Sequence, residues 1–552
     1  MKQGFISKTI ALIIAAAITM GIWTAIRYLF VIPITIHSSG MWFALIVTSF
    51  ISSLTTMGIF ALFEEITDTE FDIGRIVMPL ITVVLLVGWI IAGITSAEMF
   101  KAKEYAGLIE VQEGALSEDV AELTDDIVYI DYTSAQKMGD RTIGSIPNAS
   151  WYEVSNEYNL VKIKGTYYRI SALEYSSLGS YNKAKDSGIP GYVLVQANAT
   201  DQVTAKYVEL ENKIFYSPSA YWSMNLERHL RKQYPGLLFA KSFFEVDEEG
   251  TPYWITGVYT TNIGCFGGKK IDSAILTNAT TGEATVYQLD EIPEWVDQVM
   301  PIGYLMSLID NHYSYQGGWI NSWWNKTNVY RTAYSYKSSG FAGYNSLVDA
   351  NGKVMHYTSI TPSNKAETNI GFVLVDPVTA KVDFYKIENA SEESSAQGRA
   401  EGTIQQMGYK ASFPIIVTVD GEPTYFMTLK DSLGSVQRFA LVNIRDYNRC
   451  AVNVSISETL TQYKKVMNME VISPTEDVET YETTGTISVL SVAEMNGTTC
   501  YYFMLENNEN TFISSLEVSH HQPLSMKEGV EVTITYYPLE ENIMVVNSIE
   551  FK

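Results

Sequence analysis

The chain has 552 residues, a formal net charge of −24, and 46% hydrophobic and 12% aromatic residues. This length is enough for several domains. The acidic balance would repel the phosphate backbone of nucleic acids, so nucleic-acid binding is not expected, whereas solubility, cations or a basic partner fit the charge.

Three long apolar stretches lie within the first hundred residues, and no comparable stretch follows. About 20 apolar residues are needed to cross the hydrocarbon core as a helix, because backbone amides in lipid must be satisfied within the segment. A transmembrane region over 1–96 is therefore predicted, with membrane lipid as a partner. The predicted helices cover about 9–26, 41–63 and 76–95.

Arg27 interrupts the first apolar stretch. We expect its long side chain to reach back to the membrane interface, leaving residues 28–36 in the headgroup region. The alternative is a functional charge inside the membrane that pairs with Glu64 or Glu65.

The flanking charges and the composition of the body together indicate an orientation. With the N-terminus inside, Lys2, Lys8 and Arg75 are cytoplasmic, while Lys101 and Lys103 are outside. Three spans then place the remaining chain outside the cytoplasm, and its richness in Tyr, Asn, Thr and Ser favours the same side. The predicted location is the cell membrane, multi-pass, with an extracytoplasmic soluble body.

Helical composition continues after the third stretch, and a membrane-proximal helix is predicted over 97–126, with a break at Gly114 as one option. From residue 127 onward, short alternating runs rich in Val, Ile, Tyr, Thr and Phe are separated by turn residues. This pattern is typical of strands and hairpins.

One hairpin pattern recurs along the body. An apolar strand meets a turn containing Asn or Asp, and a second strand carries an aromatic residue at or near its end. Asn278 and Asp376 suit such turns, because their side chains can accept bonds from backbone amides two residues ahead. The hairpins are predicted over 192–208, 274–287 and 372–385, with half of the pattern at 439–443.

A longer repeat surrounds these hairpins. A predicted helix at 227–234 and another at 399–409 are each followed by a strand, a Gly-x-Pro turn and an aromatic strand. The same order in both halves predicts two related α+β units over 127–300 and 301–471, each with an antiparallel sheet and a helix across it.

This helix, strand and hairpin order, with the turn LVDPVTAK, resembles PepSY-type domains, which are small α+β modules of membrane-anchored or secreted bacterial proteins. Many PepSY domains are thought to bind or restrain peptidases. The strings RHLRKQYPG, EEGTPYW and GEPTYFM also resemble a family of membrane-anchored Firmicutes proteins. The resemblance implies an interaction role and brings no active site.

The C-terminal segment 485–552 contains five short apolar runs, which predict a small closed OB-like β-barrel after a linker near 472–484. It lacks the basic groove that single-stranded nucleic acids require. The whole chain is therefore assigned to the α+β class: N-terminal transmembrane helices, tandem antiparallel-sheet α+β units and a small barrel.

No motif predicts a catalytic site, a metal site or a cofactor. The glycine-rich segment 262–270 has the wrong spacing for a phosphate loop, and Lys270 stands where Ser or Thr must hold magnesium. His520 and His521 would point to opposite faces of a strand. Chain separation neither supports nor excludes a catalytic pair of Cys265 and His229.

The cysteines leave two alternatives open. Cys265, Cys450 and Cys500 are widely separated. They form either one disulfide and a free thiol, or three small buried hydrophobic side chains.

An aromatic cluster is the predicted binding site. Such side chains offer flat amphipathic faces to sugar rings, to a partner protein or to the membrane interface. The alternative is that they close the core between the two α+β units. The predicted binding residues are Trp319, Trp323, Trp324, Tyr313 and Tyr315.

These features favour a non-catalytic, membrane-anchored extracytoplasmic protein that binds or scaffolds a protein or cell-wall partner. One alternative is a cell-envelope hydrolase with a carboxylate pair in a cleft. Another is a structural subunit of an envelope or transfer machine, in which the Ser- and Thr-rich second span, 48–56, bonds to other membrane helices.

Overall fold

The structure is a computed structural model, and it has two compact units, Met1–Met467 and Asn468–Lys552. Helices and sheets are both abundant, which confirms the mixed class. The described residues are 2–67, 72–124, 127–146, 148–198, 205–333, 343–363, 368–467, 481–495, 498–508, 510–515, 526–540 and 542–551.

The three predicted apolar segments are helices. Among the described residues, Thr9–Phe30 and Ser39–Phe63 are each long and apolar enough to cross a membrane. The third helix meets the same criterion only when Pro79–Thr95 is counted together with the following helix, Glu98–Ala106, which is bent from it by 45°. Large apolar side chains on all three remain exposed, as lipid-facing side chains would be. The helices are α1 (Lys2–Phe30), α2 (Ser39–Thr67), α3 (Asp72–Thr95) and α4 (Glu98–Ala106).

Helices α1 and α2 pack antiparallel. Ala11 near the start of α1 packs with Phe60 near the end of α2, while Ile26 packs with Met41. Arg27 therefore lies at the opposite end of the pair from residues 64–65, about 38 Å away at 1.5 Å per helical residue. This distance gives no support to the alternative pairing of Arg27 with Glu64 or Glu65, whose side chains lie outside the described residues.

The polar stretch of α2 faces the interior of the helix bundle. The Ser49 hydroxyl lies 2.8 Å from the hydroxyl of Thr82 on α3. Packing within the chain thus accounts for Ser49, whereas the buried hydroxyls of Thr48 and Ser52 have no hydrogen-bond partner among the described residues. The buried polar residues of α2 are Thr48, Ser49, Ser52, Ser53 and Thr56.

The predicted membrane-proximal helix over 97–126 is wrong in extent. Helix α4 ends at Ala106, and the chain then forms β1 (Val111–Glu113) and α5 (Leu116–Asp119). Strand β1 pairs in parallel with 382–384. A Cβ at Gly114 would lie 2.4 Å from the Tyr385 ring. Tertiary pairing therefore overrides the helical composition.

The rest of the first unit contains four sheets, each preceded by a helix. The elements of the first sheet are α6 (Tyr132–Gly139), β2 (Tyr152–Val154), β3 (Asn159–Ile163), β4 (Thr166–Tyr175), α7 (Leu178–Ala184), β5 (Ile189–Gln196) and β6 (Ala205–Ile214). Those of the second are α8 (Leu226–Gln233), β7 (Leu238–Val246), β8 (Pro252–Ile263), β9 (Gly267–Asn278) and β10 (Ala284–Gln288).

The other two sheets follow the same plan. The third has α9 (Ile302–Tyr315), α10 (Trp319–Trp323), β11 (Tyr330–Thr332), β12 (Asn345–Val348), β13 (Val354–Pro362), β14 (Thr368–Val375) and β15 (Val382–Ser391). The fourth has α11 (Glu393–Thr403), β16 (Lys410–Ala411), β17 (Ile415–Val419), β18 (Glu422–Lys430), β19 (Val436–Asn443), β20 (Cys450–Asn453) and α12 (Ile456–Val466).

Each sheet contains a four-stranded antiparallel meander: β3 to β6, β7 to β10, β12 to β15, and β17 to β20. The predicted hairpins are confirmed as β5–β6, β9–β10 and β14–β15, and the half pattern lies in β19, which pairs with β20. Each predicted α+β unit thus contains two sheets where one was expected.

The predicted boundary at residue 300 crosses a continuous core. Ile255 and Leu276 of the second sheet pack in one buried cluster with Leu305 and Met306 of α9 and with Val373 of the third sheet. This shared core explains why both predicted units belong to one compact unit.

The second unit is a closed five-stranded barrel, as predicted. Its strand order is β21–β22–β23–β25–β24, and β23 pairs with β25 in parallel. Phe503, Phe512 and Ile534 are buried in its core. The strands are β21 (Tyr481–Met495), β22 (Thr498–Leu505), β23 (Thr511–Ser515), β24 (Glu531–Glu540) and β25 (Ile543–Phe551).

Candidate functional site

Helix α8 holds the C-terminal end of α1. The Arg228 Nη1 donates to the carbonyl of Tyr28 at 2.7 Å, and its guanidinium lies 4.6 Å from the Tyr28 ring centroid. The buried Arg231 donates from Nε to the carbonyl of Val31 at 3.2 Å. The last carbonyls of a helix lack helical donors and carry partial negative charge. The two arginines therefore satisfy this end, which assigns a structural role to the string RHLRKQYPG.

The turn between β8 and β9 holds the end of α3. The Ser96 hydroxyl oxygen accepts from the backbone amides of Cys265 and Phe266, both at 2.9 Å. Gly264 has φ +59, and a Cβ there would lie 2.6 Å from the Ser96 Oγ. The glycine-rich segment 262–270, whose spacing does not fit a phosphate loop, thus contains the tight β8–β9 turn, which packs against the end of α3.

We call these two sets of contacts the junction. His37, between α1 and α2, adds a 2.9 Å bond between its Nδ1 and the carbonyl of Cys265. The end of α1, the start of α2 and the end of α3 therefore meet the second sheet together. In a bundle that crosses a bilayer, this places the N-terminus and the body on opposite sides.

The five predicted aromatic residues have different environments. Tyr313 packs against the core shared by the second and third sheets. The Tyr315 hydroxyl donates to the Glu98 carboxylate at 2.5 Å, which ties α9 to α4. Trp319 is half-buried and stacks on Trp323, with centroids 6.2 Å apart. Of the five residues, only Tyr313 packs against this core. The alternative in which the aromatic cluster closes the core between the two α+β units therefore holds for Tyr313 alone.

The remaining tryptophans are exposed. Trp323 and Trp324 are 64% and 73% exposed, and Ile320 on the same short helix is 72% exposed. Helix α10 packs against α4, where Met99 and Phe100 are also exposed. These five side chains are called the aromatic surface below. It lies beside the first turns that follow α3.

The other sequence candidates do not form sites among the described residues. Cys265 and Cys450 are free thiols, and the Cys265 Sγ donates to the carbonyl of Ile36 at 3.1 Å. The His229 Nε2 lies 2.7 Å from the carbonyl of Gly282, so it forms no pair with Cys265. Over the described part of the chain, no group of His, Cys, Asp and Glu has the arrangement of a metal site. The Cys500 side chain, His520 and His521 lie outside the described residues.

A pair of interacting carboxyl groups connects the first two sheets. The buried Glu245 accepts from the backbone amides of Asp297 and Gln298, both at 2.9 Å. The Asp297 carboxylate accepts from the amide of Lys162 at 2.6 Å. Burial, together with the Asp297 charge, raises the pKa of Glu245, and burial raises the pKa of Asp297 to about 7. The backbone bonds give this pair a structural role.

Sequence reasoning missed a cavity of about 680 Å³ that all four sheets line. At its wall, Lys430 and Asp131 form an ion pair of 2.6 Å, and the Asp131 carboxylate also caps α6 by accepting from the Ser134 amide at 2.9 Å. Burial opposes ionisation of Asp131, but Lys430 and this capping bond lower its pKa overall.

Two further polar side chains line the cavity. Arg169 is 3% exposed, and its Nε donates to the carbonyl of Ile130 at 3.0 Å. His356 is 4% exposed, and its Nδ1 lies 3.0 Å from the Ser346 hydroxyl. Burial, with a smaller effect of Arg169, lowers the pKa of His356 to about 3, so its ring is neutral. These residues are far apart in sequence and share no motif, so no local signal could have grouped them.

Comparison with known proteins gives no family. No family model matches the chain, and no curated protein matches it. Solved structures that show some similarity include levansucrase mutants of B. subtilis and B. megaterium, each 9% identical over 78% of this chain and 98% of theirs, with TM-scores of 0.15 and 0.14. A Trypanosoma rangeli sialidase is 9% identical over 71% of this chain and 52% of its own, with a TM-score of 0.12. These scores are too low to support any inference.

Proposed function

We propose that the protein is a non-catalytic binding or scaffold protein of the cell envelope. Helices α1 to α3 hold it in the membrane, and the sheets and the barrel lie on the extracytoplasmic side, where they contact a protein or cell-wall partner. In this proposal the tandem sheets are PepSY-like, and the barrel is OB-like, which its strand order supports.

The junction is the observation that supports this function best. Arg228, Arg231 and the β8–β9 turn bond directly to the ends of the apolar helices. A flexible linker would leave the body free to rotate, whereas these bonds fix the orientation of the first unit relative to the membrane. A fixed orientation suits a protein that presents one surface to a partner.

The aromatic surface is assigned to the membrane interface in this proposal. It follows α3 directly, and tryptophan favours the headgroup level because its ring is apolar while its N–H is polar. Trp42 and Trp89 lie at the same end of the bundle, where their indole nitrogens donate to the Ile36 carbonyl and to the Ser39 hydroxyl at 2.9 and 3.0 Å. The aromatic surface would extend this belt onto the body.

Full-length fusions test the orientation. Alkaline phosphatase fused after Lys552 should be active, and a fluorescent protein that requires the cytoplasm should be dark at the same position. The reverse pattern would contradict an extracytoplasmic body.

Lipid quenching tests the aromatic surface. In nanodiscs with brominated lipids, replacing Trp323 and Trp324 by Phe should remove a quenchable part of the emission and leave the melting temperature nearly unchanged. Trp295→Phe is the matched control, because Trp295 packs against the shared core. If the double variant is quenched as strongly as the wild type, the surface faces water or a protein partner.

A further inference from the structure

The cavity lined by the four sheets has a charge opposite to that of the protein. Five Lys or Arg side chains and three carboxylates line it, although the chain has a net charge of −24. The carboxylates of Asp131 and Glu157 are bound to Lys430 and Lys241, respectively. An excess of positive charge around a cavity attracts an anion.

These two pairs leave three cations of the lining. Lys410 pairs with Glu401 at 2.7 Å, the exposed Lys137 donates to the Ser432 carbonyl at 3.2 Å, and Arg169 is the buried one. Among the described residues it forms no ion pair, and its single hydrogen bond uses Nε, so both terminal nitrogens lack a partner. Buried charges are costly unless they are paired and hydrogen bonded. The negative charge of Asp131 acts on Arg169, but the Asp131 carboxylate is itself bound to Lys430. A guanidinium without an ion pair of its own at a cavity wall is therefore a site for an oxyanion, because its planar fork matches two oxygens of a carboxylate or phosphate.

His356 adds a second unused polar atom. Its Nε2 is buried without a hydrogen-bond partner among the described residues, while the Nδ1 is bound to Ser346. Buried polar atoms are nearly always satisfied in native proteins, so an orphan atom beside a cavity indicates a missing partner. Arg169 lies on β4 of the first sheet and His356 on β13 of the third, so a ligand would contact both sheets.

Apolar side chains complete the wall. Phe243 of the second sheet, Ile302 at the start of α9 and Phe413 between β16 and β17 line the same cavity. Its volume of about 680 Å³ is in the usual range for small-molecule sites, which combine an apolar lining with a few convergent polar groups.

We propose that this cavity binds a small organic anion, with a carboxylate or phosphate on Arg169, a polar atom near His356 and an apolar part against Phe243 and Phe413. This site is separate from the aromatic surface and the junction, so it does not depend on the proposed function.

Matched probes test the proposal on the full-length protein in detergent. Benzoate, hexanoate and phenyl phosphate are titrated by calorimetry beside benzamide and hexanamide, which keep the shape and lack the charge. We expect the anions to bind and the amides to bind at least tenfold more weakly. Binding by a carboxylate without phenyl phosphate, or the reverse, identifies which oxyanion the site accepts. Equal binding of anions and amides, or no binding of any anion, would overturn the proposal.

Variants then locate the site. Arg169→Gln should weaken anion binding by about tenfold or more, because it removes a charge-assisted pair. Lys206→Gln removes an exposed cation of β6 outside the cavity and should leave binding unchanged. Unchanged affinity in a folded Arg169→Gln protein contradicts the assignment.

A wild-type measurement covers the case in which Arg169→Gln does not fold. A diazirine-bearing aliphatic carboxylate and its methyl amide are photolysed with the wild-type protein, and the labelled peptides are mapped. The carboxylate should label peptides that line the cavity, such as those with Phe243 or Phe413, and the amide should not. Labelling elsewhere, or equal labelling by both probes, would rule the site out.

Discussion

The apolar helices and the four sheets of the first unit distribute polar and apolar side chains in opposite ways. In α2, Ser52 and Thr56 are buried while Phe50 and Leu54 are exposed. In β9, Ile275 is buried, and Lys269 and Lys270 at the start of the strand are exposed. Apolar side chains can face lipid without a free-energy cost, but exposing them to water is unfavourable. The apolar helices therefore bury polar side chains, and the sheets bury apolar ones. The same kind of buried polar contact should therefore have different energies in the two regions.

The largest expected effect is at Glu393, the first residue of α11, whose side chain bonds to the third sheet. Its buried carboxylate accepts from Tyr357 at 2.8 Å, from Ser359 at 2.9 Å and from Asn369 at 3.0 Å. Glu393→Ala leaves the buried hydroxyls of Tyr357 and Ser359 without this acceptor and removes the shortest bond of the Asn369 amide, which keeps 3.4 Å contacts to the Ser391 carbonyl and the Tyr425 hydroxyl. We expect it to lower the free energy of unfolding by about 3 kcal/mol or more.

Denaturant unfolding of the purified protein measures this change. Ser394→Ala, an exposed neighbour, is the control and should stay within about 0.5 kcal/mol of the wild type. A loss below about 1 kcal/mol for Glu393→Ala would mean that water replaces the network.

The next largest effect is expected at the junction, where the two regions meet. Arg231→Met keeps the aliphatic packing and removes the bonds to the carbonyls of Val31 and Leu237. We expect a loss of about 2 kcal/mol, because bonds to a charged donor are lost at a buried site. Thermal unfolding in detergent and proteolysis of the 31–38 loop measure it.

Lys232→Met is the matched control, since Lys232 is the exposed neighbour of Arg231. Equal protease resistance of the loop in Arg231→Met and in the wild type would show that the arginine does not hold α1.

A pH effect is expected where the first two sheets meet. The pKa of Asp297 is raised to about 7 by burial, against the lowering effect of Lys162 and Lys353. Because its pKa is raised, the folded protein binds the Asp297 proton more tightly than the unfolded chain does. The stability that comes from this proton is complete below the ordinary carboxyl pKa and is lost as the pH rises through about 7. The pKa of Glu245 is raised as well, so it acts in the same direction.

Asp297→Asn keeps an oxygen acceptor for the Lys162 amide and removes the titration. Its melting temperature should exceed that of the wild type at pH 8, match it at pH 5 and depend less on pH between them. Asp290→Asn, an exposed acid nearby, should follow the wild-type curve. Parallel curves for Asp297→Asn and the wild type would contradict the assignment.

The smallest effect is expected inside the helix bundle. Ser49→Val breaks the 2.8 Å contact with Thr82, and polar contacts between membrane helices contribute about 0.6 kcal/mol on average. A double-mutant cycle with Thr82→Val, measured by unfolding in mixed micelles, isolates this contribution. A coupling energy as large as the loss at Glu393 would remove the contrast between the two regions.

Local patterns predicted much of the fold. The hairpins β9–β10 and β14–β15 were found because Asn278 and Asp376 determine their turns within a few residues: the Asn278 side chain accepts from the Thr280 amide, and that of Asp376 from the Val378 amide, both at 2.9 Å. The helix predicted over 97–126 failed because β1 pairs with a strand about 270 positions later, which composition cannot show.

The candidate sites were predictable only in part. The exposed Trp323 and Trp324 belong to a conspicuous aromatic run, but whether they face outward depends on how α10 packs on α4. The cavity was not predictable, because Asp131 and Lys430 are 299 positions apart and neither lies in a motif.

The sequence by itself determined the apolar helices, because a bilayer requires long uninterrupted apolar segments. It also determined the hairpins and the closed barrel, because the alternation of apolar and polar residues and the turn residues act over short distances along the chain. Only the tertiary structure decided that four sheets line one cavity, that Arg228 and Arg231 close the end of α1, and that the shared core crosses residue 300. Those contacts join residues that are distant along the chain, and their energies depend on burial that exists only after folding.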